Sequence, residues 1–273
     1  MNKKVVVFSQ LDQDVLQRLQ AQYHVVVINP KQGDVNEQIR EQVKDADAMI
    51  GAGRLLNESN LATAQQLKII SSVSVGYDNY DLAYLNQKKI WLTNTPHVLT
   101  ETTADLAFTL LMSAARKVPY LDQWTKQGHW QRTVGEAQFG HDIFGKTLGI
   151  IGLGNIGAAV ARRGFYGFNM NILYHNRGEK LELAQPLNAK YCALNELLQQ
   201  SDFIVVAVDL NAESKALIGQ SEFDNMQPHA VFVNIARGSV VDQQALIATL
   251  KAGKIFAAGL DVYAKEPLQE SEL

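Results

Sequence analysis

The stretch TLGIIGLGNIGAAVA, residues 147–161, decides the fold. Its apolar run, residues 148–151, is long enough for a buried parallel strand and too short for a helix. Gly152, Gly154 and Gly157 follow with the spacing Gly-x-Gly-x-x-Gly. After a strand, the first glycine of this pattern permits a tight turn, the second lets backbone approach a pyrophosphate, and the third lets the next helix pack on the strand. The stretch therefore predicts a dinucleotide-binding loop.

The residues after the loop are expected to continue as a helix. Its N-terminus would present backbone N–H groups and the positive end of the helix dipole to a phosphate. Asn155 and Ile156, within the loop, are expected to bind the cofactor as well. Three glycines can also fall at this spacing in an ordinary turn. Here a strand pattern precedes them and a helix pattern follows, which favours the dinucleotide site.

Length and composition limit the classes of protein that need to be considered. The chain has 273 residues, of which 47% are hydrophobic and 19% charged, an ordinary balance for a folded protein of two domains. The formal net charge is −3 and no long run of Lys or Arg occurs, so we expect no nucleic-acid partner. The first apolar run, residues 5–8, is too short for a signal peptide, and no later run is long enough to span a bilayer. We therefore expect a cytoplasmic protein without a membrane partner.

Cys192 is the single cysteine of the sequence. One cysteine cannot form an internal disulfide, and it lacks the partners of a cysteine-rich metal site. We interpret Cys192 as a small core residue and expect no metal.

Residues 1–97 alternate short apolar strands with amphipathic helices and contain no glycine fingerprint. That rhythm predicts a parallel sheet with helices on both faces, in a separate, smaller α/β domain. Strands are predicted at residues 5–8, 24–28, 48–51, 69–73 and 90–92, and helices at residues 13–20, 35–43, 58–66 and 81–88.

Residues 98–273 resume the alternation around the glycine motif and predict a Rossmann nucleotide-binding domain. The fold class is therefore α/β, with two doubly wound parallel-sheet domains. Strands of the second are predicted at residues 148–151, 171–174, 203–208, 231–235 and 257–260, and helices at residues 158–163, 194–200, 221–226 and 243–252.

A long helix is predicted between the two patterns, over residues 101–118, with Thr100 as its N-cap. It is apolar on more than one face, so we expect burial on several sides, either between domains or against a second subunit. The segment 124–142 is expected to be irregular.

The residues that end the second strand of a Rossmann unit bear on the choice of cofactor. A carboxylate there suits the free 2′-hydroxyl of NAD, and an arginine suits the 2′-phosphate of NADP. This strand leads into His175, Asn176 and Arg177, with no carboxylate at its tip. Asn176 can bond a phosphate oxygen, and the guanidinium of Arg177 can hold a phosphate in two places. We expect NADP(H) to be the preferred cofactor, with NAD(H) second. The alternatives are that Arg177 is a solvated surface residue and that His175 does not contact the cofactor.

Three further stretches complete the pattern: SVGYD at 74–78, NIARG at 234–238, and AGLDV at 258–262, which runs on to Glu266-Pro267. Each alone also fits an ordinary turn. Together with the glycine loop and with HVLTE at 97–101, they resemble the D-isomer-specific 2-hydroxyacid dehydrogenase family. The resemblance runs along the whole chain and is strongest to the glyoxylate/hydroxypyruvate reductase branch, which includes bacterial enzymes that also reduce 2-ketogluconate. It implies that the domain of residues 1–97 is flavodoxin-like and substrate-binding.

The resemblance implies roles for individual residues. The backbone amides of Val75 and Gly76 would bind the substrate carboxylate, and Arg237 would bind that carboxylate and the 2-oxo oxygen as a catalytic residue. Glu266, also catalytic, would orient a histidine acid and favour its protonated form. The further cofactor contacts that the resemblance implies are Thr103, Ser214, Ile235, Ala236 and Asp261, the last holding the nicotinamide carboxamide.

The chain departs from the family pattern at two places. Asp209 and Asn211 stand where the family usually has Pro and Thr, so we expect a loop of different shape there. The histidine acid of the family follows the segment equivalent to Glu266-Pro267, and this sequence ends at Leu273 before it. None of the six histidines lies in that context, so we expect the Rossmann domain to lack its C-terminal end.

The activity that the resemblance implies is the reduction of a small 2-oxoacid to the D-2-hydroxyacid by a homodimer. Glyoxylate, hydroxypyruvate and 2-ketogluconate are the candidate substrates. The alternative is a non-catalytic NADP(H)-binding protein or an inactive truncated reductase, because the expected histidine is absent.

Overall fold

The computed structural model of the chain describes residues 3–268. They form two compact units, of which the first ends at Leu99 and the second begins at Thr100. Each is an α/β unit built on one parallel sheet, which confirms the predicted fold class. That the units are domains with separate substrate and nucleotide roles, meeting after residue 97, stays a prediction. The expected domain ends, residues 1–2 and 269–273, lie outside the described residues.

The first unit carries five parallel strands in its described part. The strands are β1 (Lys4–Val7), β2 (His24–Val27), β3 (Ala48–Gly51), β4 (Ile69–Ser72) and β5 (Trp91–Thr93), and the helices are α1 (Gln13–Gln20), α2 (Val35–Gln42), α3 (Glu58–Leu61) and α4 (Leu82–Lys88). The order across the sheet is β2-β1-β3-β4-β5. Val6, Ile39, Ile70 and Leu85 lie in its core and are almost fully buried. The apolar strands and the amphipathic helices thus enclose a core of their own.

Short acidic side chains determine where three helices of this unit begin. The carboxylates of Asp12, Asp34 and Asp81 each accept a hydrogen bond from a backbone N–H two or three residues further along. Such an N-cap satisfies one of the free donors of the first turn and contributes about 1 kcal/mol. The helix starts are therefore set locally.

The helix predicted over residues 58–66 is shorter than expected, because α3 ends at Leu61. Beyond it, the Thr63 hydroxyl donates to the carbonyl of Arg40 at 2.9 Å, and the Gln66 amide donates to the carbonyl of Asp45 at 2.8 Å. These bonds tie the segment to the backbone around the end of α2 and hold it in turns.

The second unit contains the predicted glycine loop. Its strands are β6 (Thr147–Ile151), β7 (Asn171–His175), β8 (Lys190–Tyr191), β9 (Phe203–Val206), β10 (Val231–Asn234) and β11 (Ala257–Leu260), and its helices are α5 (Thr100–Ala115), α6 (Val118–Lys126), α7 (Asn155–Phe168), α8 (Leu181–Ala184), α9 (Leu194–Gln200), α10 (Gln220–Asp224) and α11 (Gln243–Lys251). The strand order is β11-β10-β9-β6-β7-β8. The two-residue strand β8 was not predicted.

The sheet of the second unit is covered on both faces. Along β9, Val205 packs in the cluster that includes residues of α5 and α7, while Ile204 packs in the cluster that includes α9, α10 and α11. Every residue of β9 and β10 is buried. A strand buried on both faces has no polar alternation, which is why these strands appear as continuous apolar runs in the sequence.

The predicted long helix is two helices. It begins at Thr100, which is the first helical residue and not the N-cap, and it breaks after Ala115. Lys117 adopts a left-handed conformation with φ of 54°, and Pro119 follows at the start of α6. Proline lacks the N–H that a continuous helix would need, so the chain restarts there.

Helix α5 buries a single stripe rather than several faces. The buried side chains follow helical spacing: Ala104, Ala107, Phe108, Leu111 and Ala115. Leu106 and Met112 are 38% and 39% exposed on the same helix. The expected burial on several sides is therefore not seen in the chain by itself.

Two histidines lie at the end of the second sheet where the strands begin. Asp202 accepts a hydrogen bond from the backbone N–H of Thr147 at 2.8 Å and pairs with Nε2 of His229 at 2.8 Å. The ring of His141 lies 6.2 Å from that of His229 and packs edge-on against Phe256 at 4.0 Å. Burial lowers the pKa of His141, and the nearby charges of His229, Lys117 and Lys146 lower it further, against a smaller opposing effect of Asp142.

We expect this arrangement to make the second unit less stable in mild acid. The folded pKa of His141 is lowered, so below about pH 6.5 the unfolded chain takes up a proton that the folded chain resists, and the free energy of unfolding falls as pH is lowered. Denaturant unfolding across a pH series should show a weaker pH dependence for His141→Phe. His129→Gln, an exposed-histidine control, should follow the wild type. An unchanged slope for His141→Phe would contradict this origin.

Candidate active site

The turn between β6 and α7 is held by two of its three glycines. Gly152 has φ of 102°, a conformation that side chains disfavour. A Cβ at Gly157 would lie 2.1 Å from the carbonyl oxygen of Gly152, so the helix meets the turn backbone against backbone. At Gly154 a Cβ would meet nothing within 4 Å. Gly154 thus leaves open space at the N-terminus of α7, as expected where a pyrophosphate is to approach the backbone.

A cavity of about 320 Å³ lies beside this loop, at the carboxyl ends of β6, β7 and β9. In the sheet β6 lies between β9 and β7, so the chain reverses its winding direction at this point. Such a switch point is where doubly wound sheets bind ligands. The glycine, polar and charged residues that line the cavity are Gly152, Gly154, His175, Asn176, Arg177, Gly178, Lys180, Asp209, Asn211, Glu213 and Ser214. The open backbone at Gly154 suits a pyrophosphate, and the cations Arg177 and Lys180 suit further phosphate charge, so the cavity fits a dinucleotide.

Asn176 connects the loop after β7 to the glycine loop. Its side-chain oxygen accepts a hydrogen bond from the backbone N–H of Leu153 at 2.6 Å. Its own carbonyl accepts a hydrogen bond from the hydroxyl of Tyr191 at 3.1 Å. The sequence predicted a phosphate contact for Asn176, and the structure gives its oxygen a second task, that of holding the glycine loop.

The two neighbours of Asn176 differ in exposure. His175 is half-buried, and its Nδ1 lies 3.0 Å from the carbonyl oxygen of Cys192. Arg177 is 83% exposed, and its Nη1 lies 3.2 Å from the carboxylate of Glu213.

Cys192 is buried, as expected for a core residue, and burial raises the pKa of its thiol.

The loop after β9 is built around Ser214 and Asn211. The buried Ser214 hydroxyl accepts from the backbone N–H of Asn211 at 2.8 Å and donates to the carbonyl of Asp209 at 2.6 Å. The Asn211 side chain in turn accepts from the N–H groups of Glu213 and Ser214. The Ser214 hydroxyl is thus engaged within the loop, although the residue lines the cavity.

Arg237 follows β10 on a backbone that is fixed from two sides. The nearly fully buried side chain of Asn234 accepts from the N–H of Ala236 and donates to the carbonyl of Arg237, each at 3.0 Å. A Cβ at Gly238 would lie 1.9 Å from the carbonyl carbon of Tyr263, so only glycine fits there. The half-buried guanidinium of Arg237 donates to the carbonyl of Ala236 at 2.8 Å.

The remaining predicted residues of the second unit lie on neighbouring elements. Thr103 is half-buried in the first turn of α5. Asp261 follows β11 and is exposed, and its N–H donates to the carbonyl of Asn234 at 3.1 Å. Glu266 is exposed, and its Oε1 accepts from the N–H of Tyr263 at 2.9 Å. The cavity lining does not include Thr103, Ile235, Ala236, Arg237, Asp261 or Glu266.

In the first unit, Val75 and Gly76 lie in the loop after β4. The Ser74 hydroxyl donates to the carbonyl of Gly76 at 2.5 Å, and the Asn94 amide donates to the carbonyl of Val75 at 2.9 Å. Side chains thus bind both carbonyl oxygens. Within residues 3–268 the amide N–H groups of Val75 and Gly76 have no hydrogen-bond acceptor.

A larger cavity, about 740 Å³, lies in the first unit along α4 and β5. Leu85, Ile90 and Trp91 line it, and no predicted substrate or cofactor residue does. Although this cavity is the larger of the two, the candidate active site is the one beside the glycine loop, which predicted residues do line.

Sequence reasoning missed three residues that matter for this site. Lys180 and Glu213 line the cavity beside the glycine loop, and Asn234 fixes the backbone that carries Arg237. Asn234 is a polar residue at the end of an apolar run, a signal that the sequence did contain. Lys180 and Glu213 are charged loop residues without such a signal.

Residues 3–268 contain neither a candidate metal site nor a candidate membrane span. No group of three or more His, Cys, Asp or Glu in that range is arranged to hold a metal ion. No helix there is both long and apolar enough to cross a membrane. The expected cytoplasmic location stays a prediction.

Alanine at two of the glycines should separate folding from cofactor binding. Gly157→Ala places a methyl group against the Gly152 carbonyl and should lower the free energy of unfolding by about 2 kcal/mol. Gly154→Ala meets open space, so it should keep wild-type stability and weaken dinucleotide binding by about tenfold. Denaturant unfolding and fluorescence titration with NADPH measure the two effects. Full cofactor affinity in a stable Gly154→Ala would contradict the assignment of this loop.

Comparison with known proteins identifies the family. Residues 108–273 match the family model described as "D-isomer specific 2-hydroxyacid dehydrogenase, NAD binding domain". A glyoxylate/hydroxypyruvate reductase B of Klebsiella pneumoniae (strain 342) is 41% identical over 268 residues, covering 98% of this chain and 83% of the relative.

Two solved structures extend the likeness to the fold. One is the NADPH-dependent glyoxylate/hydroxypyruvate reductase of Sinorhizobium meliloti, in complex with NADP and malonate: it is 31% identical with a TM-score of 0.85, covering 100% of this chain and 83% of that one. The other is a glyoxylate reductase of Paecilomyes thermophila, 32% identical with a TM-score of 0.86, covering 100% of this chain and 85% of that one. The chain therefore belongs to the D-isomer specific 2-hydroxyacid dehydrogenase family.

Proposed function

We propose that this chain reduces a small 2-oxoacid to the D-2-hydroxyacid, with a reduced nicotinamide cofactor as hydride donor. The observation that carries the proposal is the position of Arg237 after β10, in the same parallel sheet whose β6 ends in the glycine loop. The carboxyl ends of parallel strands share one edge, where α/β proteins bind ligands. A guanidinium at that edge suits both the carboxylate and the oxo oxygen of such a substrate.

Glyoxylate and hydroxypyruvate are the substrates that we propose first. Relatives from Klebsiella pneumoniae and Sinorhizobium meliloti carry both substrates in their names, which supports this choice. 2-Ketogluconate is the third candidate.

We assign the cofactor to the second unit. When bound, it supplies the hydride. The open backbone around Gly154 supports a pyrophosphate at the N-terminus of α7, held by Gly152, Gly154, Asn155, Ile156 and Gly157. We propose that the remaining contacts come from Thr103, Ser214, Ile235, Ala236 and Asp261, with Asp261 holding the nicotinamide carboxamide.

NADP(H) is the cofactor that we propose as preferred, with NAD(H) second. Arg177 and Lys180 line the cavity where the adenosine ribose would lie, and both are cations that suit a 2′-phosphate. His175 and Asn176 complete this side of the cavity. The Sinorhizobium meliloti relative, which is NADPH-dependent by name, supports the same choice.

We assign the substrate carboxylate to two groups, the backbone amides of Val75 and Gly76 and the guanidinium of Arg237. In the first unit, the amides of Val75 and Gly76 are N–H donors whose carbonyls are already bonded by Ser74 and Asn94. In the second, Arg237 is carried on a backbone that Asn234 fixes, and its planar guanidinium suits a carboxylate.

Glu266 is proposed to act on a histidine acid. One of its oxygens, Oε1, accepts from the N–H of Tyr263, and we assign Oε2 to the imidazole. A carboxylate that accepts a hydrogen bond from an imidazole raises the imidazole pKa and keeps the proton available for the forming alkoxide.

Oxidation of NADPH and NADH, followed by loss of cofactor absorbance, tests the function with glyoxylate, hydroxypyruvate and 2-ketogluconate. In a chain that also carries the histidine acid, we expect turnover with at least one of them and a higher kcat/KM with NADPH. Arg237→Ala should lower kcat/KM by about a hundredfold or more, because it removes charge stabilisation at the oxo oxygen. Arg18→Ala, an exposed arginine at the end of α1, is the control and should leave it unchanged.

In a chain that carries the histidine acid, cofactor binding without turnover on any of the three substrates would contradict the proposal. That result would favour the non-catalytic nucleotide-binding alternative instead. Full activity in Arg237→Ala would contradict only the role of that residue.

We also propose that the protein is a homodimer that pairs through α5, α6 and the segment 127–134 that follows α6. Leu106 and Met112 are exposed on α5, and large apolar side chains remain exposed further along, among them Val118, Tyr120 and Trp130. Exposed apolar side chains grouped on neighbouring elements are typical of a protein interface.

Sedimentation equilibrium tests the dimer. Trp130→Asp should shift the population to monomer, because it places a charge in the proposed apolar interface. Leu181→Asp is the matched control, since Leu181 is 66% exposed on α8 and Trp130 is 63% exposed. A monomeric wild type, or a dimer that Trp130→Asp leaves intact, would contradict this proposal.

A further inference from the structure

Arg177 and Glu213 form an ion pair at the mouth of the cofactor cavity. Nη1 of Arg177 lies 3.2 Å from Oε2 of Glu213, with the side chains 83% and 70% exposed. Arg177 lies in the loop after β7 and Glu213 in the loop after β9, and both line the cavity of about 320 Å³. Because β6 lies between β7 and β9, the pair joins the two loops that flank the glycine loop.

The backbone that carries Glu213 is fixed. The Asn211 side chain accepts from the N–H of Glu213 at 2.9 Å and from that of Ser214 at 3.1 Å. The Ser214 hydroxyl closes the turn by accepting from the N–H of Asn211 at 2.8 Å. The carboxylate of Glu213 is therefore presented from an anchored position on the cavity wall.

A 2′-phosphate would have to compete with this carboxylate. It carries a charge of about −1.5 to −2 at neutral pH and needs the guanidinium that Glu213 already pairs. An exposed ion pair adds little to the stability of a fold, so a bound phosphate can displace it. A cofactor with a free 2′-hydroxyl brings no such charge and meets no such competition.

We propose that Glu213 is a specificity-determining residue, which weakens the binding of NADP(H) relative to NAD(H) by pairing with Arg177 and repelling the 2′-phosphate. The proposal rests on the proposed cofactor function of this cavity. The role of Glu213 adds to that function the residue that keeps the preference for NADP(H) over NAD(H) moderate.

Dissociation constants for NADPH and NADH, measured without substrate by fluorescence titration, test the proposal. Glu213→Gln keeps the shape of the side chain and removes its charge. NADPH should bind about fivefold more tightly and NADH with unchanged affinity, because a like charge close to the phosphate is lost. The gain for NADPH should shrink as salt is raised, since the contact is exposed and screened.

A matched control and a second background isolate the effect. Glu196 pairs with Lys190 at the same 3.2 Å in the same unit and does not line the cavity, so Glu196→Gln should change neither constant. In an Arg177→Ala background the effect of Glu213→Gln should fall to less than half, because the guanidinium for which the two anions compete is gone. Thermal unfolding of each variant confirms that the fold is kept.

The outcomes distinguish this proposal from the one on which it rests. If both cofactors bind and Glu213→Gln leaves the ratio of their constants unchanged, or weakens NADPH binding, the role of Glu213 is overturned and the proposed function stands. If neither cofactor binds the wild-type protein, both are overturned.

Discussion

The close approach of α7 to the end of β6 is the constraint on which the second unit depends. At Gly157 no side chain fits, because the Gly152 carbonyl occupies the space where a Cβ would be. That contact lets the helix lie directly against the turn and buries the run of small residues from Ala158 to Ala161. Helix α5 then packs on α7 and on the strands β10 and β11. A single backbone contact thus positions the start of the helix and the elements that cover one face of the sheet.

The strands could be predicted well because each signal is local. The apolar runs at residues 148–151, 203–206 and 231–233 are continuous since those strands are buried on both faces. One helix was predicted too long because groups distant in the sequence decide where it ends. Helix α3 stops early because Thr63 and Gln66 bond to backbone around the end of α2. The break after α5 had a visible signal in Pro119, whose effect on the preceding residues was underestimated.

In the candidate site, too, features with a local sequence signal could be predicted and contacts between distant residues could not. The glycine loop and the residues after β7 could be found from the sequence, because their spacing from one strand to the next is a property of the motif. The hydrogen bond from Leu153 to Asn176 and the pairing of Arg177 with Glu213 could not, since they join segments 23 and 36 residues apart. The role of Asn234 could be predicted in part. A buried amide at a strand end indicates a structural role, but its partners follow only from the turn that comes after it.

The open space at Gly154 has a consequence for how such a protein changes over evolutionary time. The part of the cavity at the start of α7 is shaped by main chain, so few of its features depend on the identity of a side chain. The cations and carboxylates of the cavity stand on the two loops that follow β7 and β9, outside the strands and the core. Mutation can therefore alter those loops one residue at a time while the rest of the unit stays under separate selection. Substitutions in these two loops can change the charge of the cavity without altering the strands and the core that support it.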